Sequence, residues 1–168
     1  GRIQKVYTAW SVESLNKTLK LMREENGPIE RLEIVGHGNF LDINSLLVGH
    51  EFLTMNSYKM KDDIDRQKKA LEAQLRQQGY KDPKVMSNME GLIHSISELE
   101  QLSGVFAKDA KIRFFSCTLA RGDKGEAFIR ELGRLWLDQG GMIIGSPKSV
   151  NGPAQFMMIL QPSRALNV

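Results

Sequence analysis

Three observations predict an α/β fold with a mainly parallel sheet for this chain. Short apolar runs near residues 31–36, 111–116 and 142–146 each stop at a turn signal, as buried strands do. The stretches following the first and third strands carry apolar residues at helical spacing, with polar residues on the other faces. Strand and helix then alternate along the chain, the order that builds crossover-connected parallel sheets. No internal repeat or low-complexity linker interrupts that order. At 168 residues the chain is long enough for one domain with a core of its own.

The elements follow in order. Residues 3–9 contain Val6, Tyr7 and Thr8, good strand formers, and predict a first strand. Ser11-Val12-Glu13-Ser14 fits a helix start, because a serine hydroxyl can accept from the free N–H groups of a first turn. Leu15, Leu19 and Met22 make the buried stripe of that helix, and Asn26-Gly27-Pro28 ends it. A second strand runs from about Arg31 to Gly36 and delivers His37. The apolar residues between 39 and 50 fit no single period and predict an ordered loop with a short strand or helix. Residues 51–107 read as a helical insertion. Met60, Ile64, Leu71 and Leu75 form one stripe, and Val85, Met89, Leu92, Ile93, Ile96 and Leu99 a denser one. Gln78-Gly79 and Asp82-Pro83 mark the turn between these two helices.

A third strand, Lys111–Ser116, delivers Cys117. After a turn at 121–125, Phe128, Leu132, Leu135 and Trp136 define another amphipathic helix, which Gln139-Gly140-Gly141 closes. Residues 142–146 are the fourth strand, and residues 156–160 a last one.

Composition narrows the function. Hydrophobic content of 41% and charged content of 26% are ordinary for a globular domain. The net charge of +3 is small and its basic residues are interspersed with acidic ones, which argues against nucleic acid as the partner. No apolar run is long enough to span a bilayer, and no membrane role is expected of this segment. The chain opens on Gly1 without a signal-peptide pattern, and it is expected to be one module, residues 1–168, of a larger protein. A single cysteine excludes an internal disulfide and leaves a core thiol or a working one.

Two side chains carry the chemistry. Free cysteines are among the most buried residues, so Cys117 alone reads first as core. Its place after a strand and before a Gly-containing turn shifts it towards function. His37 stands between Gly36 and Gly38 at a strand end, where a histidine has little packing use and glycine permits close approach of another chain. His50 also follows a glycine and apolar residues, but Glu51 succeeds it and its run lacks clear bounds. His94 falls inside the apparent helical stripe and reads as structural or exposed. No His/Cys cluster has zinc-ligand spacing, and no phosphate-binding or dinucleotide glycine motif is present, so neither metal nor cofactor is expected.

The order of apolar strand, His37-Gly38, long spacer, apolar strand, small residue and Cys117 resembles the caspase-fold (clan CD) cysteine peptidases. The sequences are Leu-Glu-Ile-Val-Gly-His37-Gly38 and Phe-Phe-Ser-Cys117. Gly122-x-x-Gly125-x-x-Phe128, a helix, and then Gly-Gly-Met-Ile-Ile-Gly-Ser146 are similar to the caspase-like domains of bacterial surface and self-processing toxin proteins. The resemblance spans residues 30–38 and 111–146. It implies a three-layer sandwich, its sheet flanked by helices, with the helical insertion lying between the His and Cys strands. It implies a protein or peptide substrate, the parent chain included.

The resemblance also assigns roles. Cys117 would attack the scissile carbonyl as a thiolate, and His37 would supply acid–base catalysis. The backbone N–H groups of Gly38 and Cys117 would hold the oxyanion. Asp42, Ser116, Asp123 and Ser146 are candidates for the edge of the site. The sequence departs from the family's pattern: the spacer of 80 residues (117 − 37) is largely the helical insertion, the basic flap of the inositol-phosphate-activated toxin peptidases is not evident after Ser146, and the caspase substrate-pocket arginines have no match. Two other readings stand beside the peptidase: a catalytically silent caspase-like interaction domain of a toxin or effector, and an unrelated α/β binding domain whose cysteine is core.

Overall fold

A computed structural model of the chain describes residues 5–36, 45–49, 51–55, 93–115, 119–120, 122–145 and 157–160, together with 69, 72–73, 76–77 and 79. It is a mixed α/β structure with a mixed main sheet. Strand β1 (Lys5–Thr8) leads into helix α1 (Val12–Asn26), which returns to β2 (Ile29–Val35). Strands β3 (Ser45–Val48), β4 (Glu51–Thr54) and β5 (Ile93–Ser95) follow, the last running into a 3-10 turn at Ile96–Glu98. Then come β6 (Phe106–Phe115), helix α2 (Gly122–Trp136), β7 (Gly141–Ile144) and β8 (Met157–Leu160).

The main sheet has the order β1-β8-β2-β6-β7. Strand β6 is parallel to both β2 and β7, while β8 is antiparallel to both β1 and β2. Four strands therefore point one way and β8 the other, so the expected mainly parallel sheet is a mixed one. The physical reason lies in the connection. Strand β8 begins at the end of the sheet where β7 finishes, so it needs no crossover helix to bring the chain back first.

The helix start at Ser11 forms as expected. Ser11 Oγ accepts from Ser14 N at 3.1 Å, and Ser14 Oγ accepts from Ser11 N at 3.1 Å, a reciprocal cap. Leu15, Leu19 and Met22 are fully buried, and Gly27 ends the helix by donating its N–H to Arg23 O at 2.9 Å. The third predicted strand is longer than its apolar core, starting at Phe106. Its pairing with β2 shifts register between Ile29 and Arg31, and Asp109 takes a positive φ of 57° where the extra residues are accommodated.

Both crossovers, β1 to β2 and β6 to β7, move the same way along the sheet, so right-handed connections put α1 and α2 on one face. Contacts agree. The Trp136 ring stacks on Phe114 with centroids 6.4 Å apart. Trp136 Nε1 donates to Asn16 Oδ1 at 3.0 Å, and Asn16 Nδ2 donates to Glu100 O at 2.7 Å. Beneath the helices, Leu32, Ile34, Ile112, Phe114 and Met158 are buried. On the opposite face Val6 is 55% exposed, Met142 50% and Ile144 40%. Among the described residues the helices thus cover one face of the sheet.

The expected helical insertion over 51–107 needs correction at both ends. Residues 51–54 are β4, 93–95 are β5, 96–98 are a 3-10 turn, and Phe106 already belongs to β6. Apolar residues three apart suit a 3-10 turn as well as a helix. Ile96 and Leu99 are buried as the stripe requires, but from a strand-and-turn segment. Within the centre, Lys69, Glu72, Ala73, Arg76 and Gln77 are helical, with Arg76 Nη2 2.7 Å from Glu72 Oε1. The remaining stripe residues, Met60, Ile64, Leu71, Leu75, Val85, Met89 and Leu92, lie outside the described residues. The segment 39–50, expected to be a loop with a short strand or helix, contains strand β3, which pairs with β4 as a hairpin. Among the described residues no helix is long and apolar enough to cross a membrane.

The Asn16–Trp136 bond gives a direct test of helix packing. Trp136→Phe keeps an aromatic ring, but it removes buried volume and leaves the Asn16 carbonyl without its donor; the unsatisfied polar group alone costs about 1–3 kcal/mol, and the lost packing adds to it. Urea titration should show a loss of unfolding free energy of at least that size.

Candidate active site

The site is framed by two strand ends. Parallel pairing aligns Leu32 with Ile112, Ile34 with Phe114, and Val35 with Phe115. Gly36 N then donates to Phe115 O at 3.2 Å, carrying the pairing one step past the last strand residue. The two segments therefore leave the sheet from adjacent positions at its carboxyl end, the end at which open α/β sheets place their sites. His37 follows Gly36 directly, and Ser116 and Cys117 follow Phe115. The residues His37, Gly38, Asp42, Ser116, Cys117 and Ser146 themselves lie outside the described residues. Asp123 is described: it is exposed in the first turn of α2, whose N-terminus opens at this same end.

The turn beyond Cys117 is tightly packed, which explains two glycines of the sequence pattern. A Cβ on Gly125 would lie 2.5 Å from Ala120 C and 2.7 Å from Leu119 O. A Cβ on Gly145 would lie 2.9 Å from Ala120 Cβ and 3.0 Å from Ile129 Cδ1. The 119–120 turn is thus wedged between the first turn of α2 and the end of β7, with Leu119 fully buried. Side chains at either glycine would force that turn outward.

A second group of polar residues lies at the same end, beside the N-terminus of α1. The β3–β4 hairpin pairs Val48 with Glu51 and so turns in two residues, with Gly49 at φ 63°. A Cβ there would fall 2.2 Å from Trp10 O, so the hairpin tip docks backbone to backbone on the residue before the α1 cap. Glu51 Oε2 accepts from Val12 N, the first N–H of α1, at 2.8 Å. A carboxylate at that position is favoured by the unpaired N–H groups and by the helix dipole.

Glu51 Oε2 also lies 3.4 Å from His94 Nε2, and His94 Nδ1 lies 3.3 Å from Glu98 Oε1. Glu98 Oε2 in turn accepts from Ser95 N at 2.5 Å, and Thr54 Oγ1 donates to His94 O at 3.3 Å. His94 is therefore on strand β5, not on a helical stripe, and its ring sits between Glu51 of β4, which caps α1, and Glu98 just beyond β5, with Nε2 buried and without a hydrogen bond among the described residues. Sequence reasoning missed Glu51 and Glu98. Ser95-x-x-Glu98 is a capping-box pattern, and it was the signal available. Among the described residues no group of three His, Cys, Asp or Glu side chains is arranged to hold a metal ion.

No protein-family model matches the chain, and no curated protein and no solved structure matches it.

The hairpin docking is testable. Gly49→Ala puts an L-residue at positive φ, which costs about 1–2 kcal/mol before any clash with Trp10 is counted. Hydrogen exchange should speed up at the Val12 amide and across β3 and β4, while the amides of β6 keep their protection.

Proposed function

We propose that this chain is a cysteine endopeptidase in which Cys117 is the nucleophile and His37 the acid–base partner, with the parent chain among its substrates. The observation that carries the reading is the in-register pairing of β2 with β6 up to the Gly36–Phe115 hydrogen bond. It gives the two segments a common point of departure, so that residues 80 positions apart (117 − 37) start from neighbouring backbone positions.

The chemistry is acyl transfer. The Cys117 thiolate adds to the scissile carbonyl carbon, and the carbonyl π pair moves onto oxygen, to which the N–H groups of Gly38 and Cys117 donate hydrogen bonds. The oxyanion collapses, the C–N bond breaks, and His37 gives its proton to the departing amine. Water then attacks the thioester, with His37 taking a proton from it, and the acid is released with the thiol restored. A lost oxyanion donor typically costs about 10²–10³ in rate. Tethering favours the parent chain as substrate by raising its effective concentration.

An intact-mass time course on the longer parent tests this. Cleavage is expected for wild type and for His50→Ala, no cleavage for Cys117→Ala, and a severe slowing for His37→Ala. Equal processing by wild type and Cys117→Ala would remove the nucleophile. In a second arm, a peptidyl electrophile should label wild type at Cys117, and labelling should fail in Cys117→Ala and fall sharply in His37→Ala. Labelling of wild type no faster than that of an unfolded thiol would sink the peptidase reading in favour of a silent interaction domain.

A further inference from the structure

The β1-α1-β2 unit leaves a gap. Consecutive parallel strands joined by a helix commonly lie side by side, but here one strand position separates β1 from β2, and β8 fills it. Each wall has a tie besides β8. Strand β2 pairs with β6 on its far side. Strand β1 is fastened to the end of α1: Lys5 Nζ donates to Asn26 Oδ1 at 2.6 Å, Asn26 Nδ2 donates to Tyr7 Oη at 2.9 Å, and the Tyr7 hydroxyl donates to Glu25. That last bond, to a carboxylate, holds the Tyr7 hydroxyl above its usual range and keeps it a donor. The unit is a frame one strand wide.

The filler fits this frame on both edges and below. Val6 pairs with Ile159 and Glu33 with Ile159; Thr8 and Val35 both pair with Met157. Met158 is fully buried under the helices. Yet β8 is only four residues long, and it follows every other described strand. The linker from Gly145 to residue 156 can reach about 40 Å at ~3.3 Å per residue. Within one chain it need cross only three strand positions, about 14 Å at ~4.8 Å each.

We infer that the gap between β1 and β2 is a strand-accepting site, and that its second occupant is β8 of another copy of this chain. A second copy carries the same four residues, so every main-chain bond and the buried methionine position are reproduced in trans. The linker is long enough to reach a neighbour. Reciprocal exchange of this kind closes a two-fold dimer without any new contact surface, and pairing on both edges is the mode by which sheets take up extended segments. The inference does not depend on the peptidase reading.

Registered antiparallel pairs have Cα separations that suit a disulfide, and Glu33 and Ile159 are such a pair on the helix-free face. The full chain carrying Cys117→Ala, Glu33→Cys and Ile159→Cys is refolded at low and high concentration, separated by size, oxidised, and examined under non-reducing denaturing conditions. While monomer predominates, the dimer-to-monomer ratio should rise about tenfold for a tenfold higher refolding concentration, by mass action. Oxidised monomer should be cross-linked internally, and oxidised dimer should be covalent. Dimers that cross-link only internally, or no dimer at any concentration, overturn the inference. If the triple variant does not fold, wild-type chains with light and heavy isotopes decide. Mixed dimers are expected only when the two are unfolded and refolded together. Mixed dimers appearing within minutes of simple mixing would indicate surface association, and no dimer in either case would equally overturn the proposal.

Discussion

The pairing of β2 with β6 is the constraint on which the rest of this structure depends. It joins two segments far apart in sequence, sets one direction for the sheet, and decides which chain ends meet. Helix α1 reaches it from one side and α2 leaves it on the other, so the handedness of the two crossovers stacks both helices on the same face. The buried Asn16 amide then ties them, accepting from Trp136 and donating to the Glu100 carbonyl. A polar residue is tolerated in that position because both halves of its amide are satisfied. With the register fixed, Gly36 and Phe115 are neighbours by necessity.

Much of this could be read from the residues. Strands that keep one face buried and the other half-exposed announce themselves, as Leu32 and Ile34 do in β2 and Ile112 and Phe114 in β6. The α1 cap and stripe and the α2 stripe at Phe128, Leu132, Leu135 and Trp136 obeyed local rules, and tertiary structure agreed with them. Strand β4 escaped because its burial does not alternate. In β4, Phe52, Leu53 and Thr54 are all buried in succession, which erases the period of two. The Ile93–Leu99 segment misled for the complementary reason: its three-residue spacing suits more than one backbone. The antiparallel entry of β8 was beyond local reading, since four apolar residues carry no direction. For the site, sequence pointed to the two strand ends, and the main chain brings those ends together. It did not point to Glu51, whose role is set by a long-range meeting with the α1 N-terminus.

That meeting shapes the electrostatics of the carboxyl end of the sheet. Two helix N-termini open there, and each is a source of partial positive charge. Glu51 neutralises the one on α1, and His94 and Glu98 extend the network away from the strand ends. The first turn of α2 carries Asp123.

The late position of β8 has a consequence for folding. Until this interior strand docks, the inner edges of β1 and β2 carry unpaired N–H and C=O groups. A chain that folds its helices and the β2–β6–β7 half of its sheet first therefore holds an open cleft lined with main-chain donors and acceptors. Helix α1 covers one side of that cleft, and Tyr7 of β1 is bonded to Glu25 and Asn26 at the helix end. Such an intermediate would present a slot one strand wide, matched to residues 157–160 and open to any extended segment until they arrive.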